Sequence, residues 1–264
     1  MKELTIDGLN VKYFDEADGK EIIFIHAFPM CNRMWNEQVE FFKSKNKIVV
    51  YDLRGFGYSE VGDGQFTIET HVDDLMMIID KLEISSPVIC GLSMGGYISL
   101  RALERYQNKF KAVILSDTRS EADNNTAKIN RSYQIKQIHN GETENFFDNF
   151  IKKALSKNTI NTNIEVVKFI NEMIRWQTPK GIIAGLLALG CRTDTTEFLP
   201  KINIPALIIV GEEDKLTPPE FAKDLHCKIS GSRLEIISNA GHFPNMENAK
   251  EFNRVVNNFI EELT

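Results

Sequence analysis

The sequence predicts an α/β fold in which a mainly parallel sheet is covered by helices on both faces. Three observations carry that expectation. Short, almost wholly apolar runs alternate with longer stretches whose apolar residues recur at helical spacing. The joining loops are mostly short and punctuated by glycine, proline and aspartate. One apolar run, Val88-Ile89-Cys90-Gly91, passes through Leu92-Ser93-Met94-Gly95-Gly96 into a helical pattern reaching residue 106, so that G-x-S-x-G spans a strand–turn–helix.

Taken in order, residues 4–14 alternate around Asp7-Gly8, a hairpin at the sheet edge. Residues 21–25 are a short apolar run broken abruptly at His26-Ala27-Phe28-Pro29. Met34, Trp35, Val39 and Phe42 have helical spacing. Residues 47–51 read as a buried strand running into the loop Asp52-Leu53-Arg54-Gly55-Phe56-Gly57-Tyr58-Ser59. Ile68, Val72, Leu75, Met76, Ile79 and Leu82 mark one face of a helix, with Thr67 as its N-cap. After the strand–turn–helix comes another apolar strand, 112–115, ending at Ser116-Asp117. The alternation then stops. From 119 to about 188 there is no clear strand, and Phe146, Phe147, Phe150, Ile151 and Ala154, then Val166, Val167, Ile170 and Ile174, form two apolar helical faces. The expected organisation is a core of residues 1–118 and 191–264 with a helical cap, 119–190, inserted between strands and large enough to cover a cleft. Strands at 205–210 and 234–237 and helices at 219–227 and 250–263 complete the core.

Composition narrows the function. The chain has 264 residues, 42% of them hydrophobic, enough for one large domain with a buried core. Its formal net charge is −6, and no cluster of Lys and Arg resembles a nucleic-acid footprint. Four cysteines, Cys31, Cys90, Cys191 and Cys227, lie far apart without a C-x-x-C, so neither a zinc site nor a disulfide framework is signalled. No apolar export segment or membrane-spanning run is present, and a soluble, cytoplasmic protein is the expectation. Nothing calls for a metal, nucleotide or other cofactor: there is no Walker loop, no G-x-G-x-x-G after a strand and no histidine cluster.

The chemistry centres on Ser93. A serine nucleophile must sit on a strained turn clear of the sheet, where bulk at Gly91 or Gly95 would crowd it. Its hydroxyl is a weak nucleophile and needs a base oriented by a third group. His71 and His226 lie within helical patterns, His139 within the insertion, and His26 is more useful for its backbone neighbours than for its ring. His242, in the loop Gly241-His242-Phe243-Pro244 after a strand, is placed to hang over the carboxyl edge of a parallel sheet, the edge where such sheets bind ligands. For the orienting acid, Asp214 and Asp117 both end strands. Asp214 gives the chain order Ser, Asp, His and is preferred over Asp117, Glu212 and Glu213, although spacing alone leaves Asp117 open. The oxyanion donors expected are the backbone N–H of Met94, directly after the serine, and of Phe28.

In this order and combination the motifs His26-Ala27-Phe28-Pro29, Arg33-Met34-Trp35, residues 52–59, Gly91-Leu92-Ser93-Met94-Gly95-Gly96, Gly211-Glu212-Glu213-Asp214 and Gly241-His242 resemble the α/β-hydrolase fold superfamily from end to end. Within it the chain is most similar to the small carboxylesterase and 3-oxoadipate enol-lactonase branch. Ala27 departs from the glycine usual there. The resemblance implies an α/β-hydrolase fold with a sheet of about eight strands, a Ser93–His242–Asp214 triad, and hydrolysis of a small ester or lactone through an acyl-enzyme. It opposes the branches that use an aspartate nucleophile. Carbon–carbon hydrolases of ring-cleavage diketones, cofactor-free perhydrolases and small-molecule receptors of this fold carry the same set, so those alternatives stay open. Phe28, Arg119, Trp176 and Phe243 are the candidate substrate contacts, the partner being a small molecule and neither nucleic acid nor membrane.

Overall fold

The computed structural model describes residues 1–263. The first strands, β1 (Lys2–Ile6) and β2 (Leu9–Phe14), form the hairpin around Asp7-Gly8, where both turn residues take positive φ. β3 (Glu21–Ile25) follows. A 3₁₀ turn at Asn32–Trp35 leads into α1 (Asn36–Phe42), so the stretch expected as one helix begins two residues earlier and more tightly wound. β4 (Lys47–Tyr51) precedes α2 (Ile68–Lys81), which is capped as expected: the Thr67 hydroxyl accepts from the Thr70 N–H, and the Thr70 side chain reciprocates. The strand–turn–helix is β5 (Val88–Leu92) and α3 (Met94–Tyr106), followed by β6 (Ala112–Ser116).

Between β6 and β7 the described chain holds no strand but five α-helices, α4 (Asn125–His139), α5 (Thr143–Ala154), α6 (Lys157–Thr162), α7 (Ile164–Arg175) and α8 (Pro179–Gly190), and then a 3₁₀ helix at Thr196–Lys201. The apolar faces legible in the sequence do the packing. Phe146, Phe147, Ile151 and Ala154 of α5 and Ile170 and Ile174 of α7 are buried. By contrast, α4 buries only Ile138 and leaves Ile129 and Tyr133 more than half exposed. The alternation resumes with β7 (Ala206–Gly211), α9 (Pro219–Lys228), β8 (Arg233–Ile237), α10 (Pro244–Glu247) and α11 (Ala249–Glu262). No described helix is long and apolar enough to cross a membrane.

The eight strands form one sheet in the order β1-β2-β4-β3-β5-β6-β7-β8. β2 runs antiparallel to β1 and β4, and every other pairing is parallel. Apart from Glu21, every residue of β3, β5, β6 and β7 is buried, as a sheet covered on both faces requires. The register aligns Ile25 with Gly91, Gly91 with Leu115, Leu115 with Ile208 and Ile208 with Leu234. The carboxyl ends of β3, β5, β6, β7 and β8 therefore share one rim. The loops leaving that rim hold Phe28, Ser93, Asp117, Asp214 and His242.

Candidate active site

Ser93 joins β5 to α3 at φ 54° and ψ −110°, a conformation that a non-glycine residue rarely adopts. Backbone bonds hold it there: Ser93 N–H donates to the Ser116 carbonyl at 2.9 Å, while Gly96 and Tyr97 N–H and the Thr118 hydroxyl donate to the Ser93 carbonyl. The neighbouring glycines are required by close approach. A Cβ on Gly91 would overlap the Gly95 carbonyl, and a Cβ on Gly95 would overlap the Ile25 carbonyl at the end of β3. The first turn of α3 thus packs directly on the segment that leads to Phe28. Met94 N–H, at the start of α3, has no acceptor within the helix by geometry. The Phe28–Pro29 peptide is cis.

The two candidate acids have different partners at the rim. Asp214 Oδ2 accepts from His242 Nδ1 at 2.8 Å and from the Thr217 hydroxyl at 2.6 Å; Asp214 Oδ1 accepts from the N–H groups of Leu216 and Thr217 at 2.8 and 3.1 Å. All three side chains are buried. Because the carboxylate faces Nδ1, that nitrogen carries a ring proton and donates it to Asp214. Burial alone would push the Asp214 carboxyl up, but the facing His242 and its hydrogen bond, with those from Thr217, outweigh it and hold the group at about 2.

Asp117 belongs to the same cluster, with ligating atoms of Asp117, Asp214 and His242 within 4.8 Å of one another. Its surroundings are opposite in effect. Asp117 Oδ1 accepts from Gly211 N–H at 2.9 Å and Oδ2 from the Ser116 hydroxyl at 2.6 Å, and no cation faces it among the described residues. Burial, then the neighbouring Asp214 charge, raise its carboxyl well above the usual range. These are also the described residues best grouped to hold a metal ion, yet the atoms they would offer are already committed to one another and to protein donors.

Ser93, Thr217 and His242 line a cavity of about 160 Å³ whose apolar wall is Phe28, Phe146, Phe150, Leu186, Leu189 and Leu216. Its remaining polar lining is Tyr97, Arg119, Arg131 and Gln134. Arg119 and Arg131, with Arg192, converge on one buried carboxylate, Asp123: Arg119 and Arg192 bond Oδ1 at 2.9 and 2.7 Å, and Arg131 Nε bonds Oδ2. Burial would raise the Asp123 carboxyl, but Arg131 and Arg192 hold it below its ordinary value. The Arg192 guanidinium also covers the Tyr97 ring at 4.3 Å. The cavity wall therefore presents two guanidinium groups and no carboxylate. Gln134, Phe146, Phe150 and Leu216 also line an outer groove of about 490 Å³ with Asn130, Tyr133 and Lys153.

Of the substrate contacts expected from sequence, Phe28 and Arg119 line this cavity. Phe243 lies behind it, fully buried, with its ring 5.3 Å from that of His242. Trp176 is not brought to the cavity; it is 40% exposed and packs edge-on to Tyr58 at 4.6 Å. His26 is a buried structural residue: Nδ1 donates to Ala27 O, Nε2 accepts from Leu53 N–H, and burial lowers its pKa to about 4. Thr217, Tyr97, Arg131 and Gln134 were not singled out by sequence reasoning. A hydroxyl three residues after Asp214, before two prolines, was the available signal for Thr217. Arg131 and Gln134 sit on α4, whose apolar pattern is too weak to orient its faces.

A buried parallel sheet with a strained serine and a hydrogen-bonded aspartate–histidine pair on its carboxyl rim defines a hydrolase class. The α/β hydrolase fold family matches residues 20–249, and the chain belongs to it. It is 27% identical, over 94% of its length and 91% of the relative's, to 3-oxoadipate enol-lactonase 2 of Acinetobacter baylyi. It is 25% identical to the pimeloyl-[acyl-carrier protein] methyl ester esterase of Neisseria meningitidis, over 92% and 77% of the two chains. Among solved structures, a thermophilic esterase from Thermogutta terrifontis with malate bound superposes with a TM-score of 0.93 at 29% identity, covering 99% of this chain and 98% of that one. The enol-lactonase of Burkholderia xenovorans, at 23% identity and TM-score 0.90 over 99% and 100%, shares the fold. The protein is an enzyme of the α/β-hydrolase family.

Proposed function

We propose that this enzyme hydrolyses a small carboxylic ester or lactone through an acyl-enzyme on Ser93. One observation carries the reading: a buried Asp214–His242 bond of 2.8 Å ends at a ring that shares a small cavity with Ser93. His242 Nε2 takes the hydroxyl proton as Ser93 Oγ attacks the carbonyl. The tetrahedral oxyanion accepts hydrogen bonds from Phe28 and Met94 N–H. The imidazolium, stabilised by Asp214, returns the proton to the departing alkoxide, which in a lactone remains part of the acyl group. Water, deprotonated by His242, then attacks the ester and releases the acid and Ser93. The helices of residues 119–190 act as the cap that closes the cavity, and 160 Å³ suits a short acyl chain.

The lining further favours a substrate carrying a carboxylate, which Arg119 and Arg131 would bind at the far wall. The malate in the similar Thermogutta terrifontis esterase, a dicarboxylate, is consistent with that preference. A charge-assisted hydrogen bond in such a site is worth about 1.5–3 kcal/mol, or roughly 10- to 100-fold in kcat/KM. The test compares phenyl pentanoate with the monophenyl ester of glutaric acid on wild type, Ser93→Ala and Arg131→Gln. Ser93→Ala should lose on the order of 10⁴-fold in kcat on both esters. Wild type should favour the half-ester by at least about tenfold, and Arg131→Gln should remove most of that preference. More than a tenth of wild-type activity in a clean Ser93→Ala preparation would sink the acyl-enzyme; no preference in wild type would sink the carboxylate and leave the acyl-enzyme standing.

A further inference from the structure

We propose that Glu247 is a positioning residue for the base, holding the backbone on both sides of His242 and tying the inserted helices to it. The proposal rests on the reading of His242 as the base. Glu247 ends the four-residue helix α10 and is almost wholly buried. Its Oε1 accepts from the two amides that flank the histidine, Gly241 N–H at 2.9 Å and Phe243 N–H at 3.1 Å. Its Oε2 accepts from the N–H of Ser156, which caps α6, and from the hydroxyl of Thr159 in the first turn of α6, both at 2.8 Å. The intervening amide, His242 N–H, donates to the carbonyl of Ala154, the last residue of α5, at 2.6 Å.

Three successive amides around the base are thus fixed from outside their own loop. Further bonds close the junction: Ser156 Oγ donates to Asn239 O at 3.1 Å, and Lys157 N–H donates to Glu213 Oε2 beside the acid. Gly241 is required here, because a Cβ would overlap the Ala154 carbonyl. Four donors occupy both oxygens of Glu247, and no cation pairs with it among the described residues. An amide cannot replace this carboxylate. Its single oxygen could serve one pair of donors, while its NH₂ would face the other pair. Loss of the bracket leaves the His242 ring free to drift from the line between Asp214 and Ser93, and misplacement by about 1 Å costs on the order of 10²-fold in rate.

The experiment measures kcat and KM of folded enzyme on phenyl pentanoate for wild type, Glu247→Gln and Thr159→Val, with melting temperatures alongside. Glu247→Gln should lose about 30- to 100-fold in kcat with KM within threefold. It should also slow phosphonylation of Ser93 by a fluorophosphonate in parallel, since that step uses the same base. Thr159→Val removes one donor at the far oxygen and should keep kcat within about threefold. A purely structural Glu247 predicts a lower melting temperature with kcat and phosphonylation rate per folded molecule unchanged, and that result overturns the proposal. So does an equal kcat loss in Thr159→Val, which would assign the effect to docking of the inserted helices. If Glu247→Gln does not fold, Glu247→Asp decides on the same criteria. In wild type, the amides of Gly241 and Phe243 must be protected from hydrogen exchange; rapid exchange there overturns the bracket without any variant. An active Ser93→Ala enzyme would instead defeat the catalytic reading on which this rests, whatever Glu247 does.

Discussion

Asp117 and Asp214 follow neighbouring parallel strands in the same buried cluster, yet their surroundings shift their carboxyls in opposite directions. Asp214 gathers four donors, including the His242 ring, which hold its carboxyl low; Asp117 gathers two neutral donors, and burial and the neighbouring Asp214 charge raise its carboxyl. Replacement by the amide reads this difference directly. Asp214→Asn presents a donor to Nδ1, selects the wrong tautomer and should lower kcat by several orders of magnitude in a folded protein. Asp117→Asn keeps the shape of a side chain that is not bonded to the His242 ring and should keep kcat within about tenfold. Steady-state kinetics on both variants, with circular dichroism to confirm folding, checks this. A larger kcat loss in Asp117→Asn would move the acid to the strand before the insertion. Strand position alone left both residues open as the acid; the loop geometry that turns Thr217 and the His242 ring onto Asp214 has no local signature in the sequence.

At the scale of the element, the turn at Ser93 depends on two backbones touching where no side chain intervenes. Gly95→Ala would press a methyl group into the Ile25 carbonyl, which belongs to a central strand and cannot give way. The first turn of α3 must then shift from β3, separating Met94 N–H from Phe28 N–H. The expected result is a loss of at least about tenfold in kcat together with a lower melting temperature. Gly190→Ala, at the end of α8 and with its nearest neighbour, Arg131 Cδ, at 3.6 Å, is the control and should leave kcat unchanged. Equal behaviour of the two variants would refute the contact argument. The same contrast explains what the sequence made legible. Strands such as Ile22–Ile25 and Val88–Leu92 and the Thr67 cap are written in local patterning, and G-x-S-x-G names its own turn. Arg131, Gln134 and Glu247 are not, because their roles arise where residues about 80–110 positions away come to meet them, and α4 lacks the apolar stripe that would show which face turns inward.

For the whole molecule, acid sensitivity follows from two buried, neutral histidines, His26 and His71. Burial lowers His26 to about 4 and His71, which also faces His26 and Arg54, to about 3. Neither His71 nitrogen has a hydrogen-bond partner among the described residues; Asp74 Oδ2 lies 3.9 Å from Nδ1 and is itself held by Arg54 at 2.8 and 3.1 Å through its two oxygens. Below the ordinary histidine value of 6.5 the unfolded chain binds protons that the folded chain refuses. Stability is therefore complete above that value and is lost as pH falls, at about 1.4 kcal/mol per pH unit for each such ring. His71→Leu forfeits no hydrogen bond and should fold normally at pH 7. Between pH 6.5 and 5 it should lose about 2 kcal/mol less than wild type in denaturant titrations. Parallel pH dependence in the two proteins would show that His71 titrates in the folded state.

The junction between the α5–α6 turn and the His242 loop also bears on how this architecture can be recombined. Because Gly241 touches the Ala154 backbone and Glu247 bridges to Ser156 and Thr159, residues 154–159 and 239–247 form one unit split across the chain. A chimera that imports another enzyme's helices as a single cassette would sever that unit and disturb the His242 loop along with the cavity lining. A chimera that exchanges α4 alone, with its single buried residue, could replace Arg131 and Gln134 and leave the unit whole. The polar lining contributed by α4 and the junction that holds the His242 loop thus lie in different, separately exchangeable parts of the same insertion.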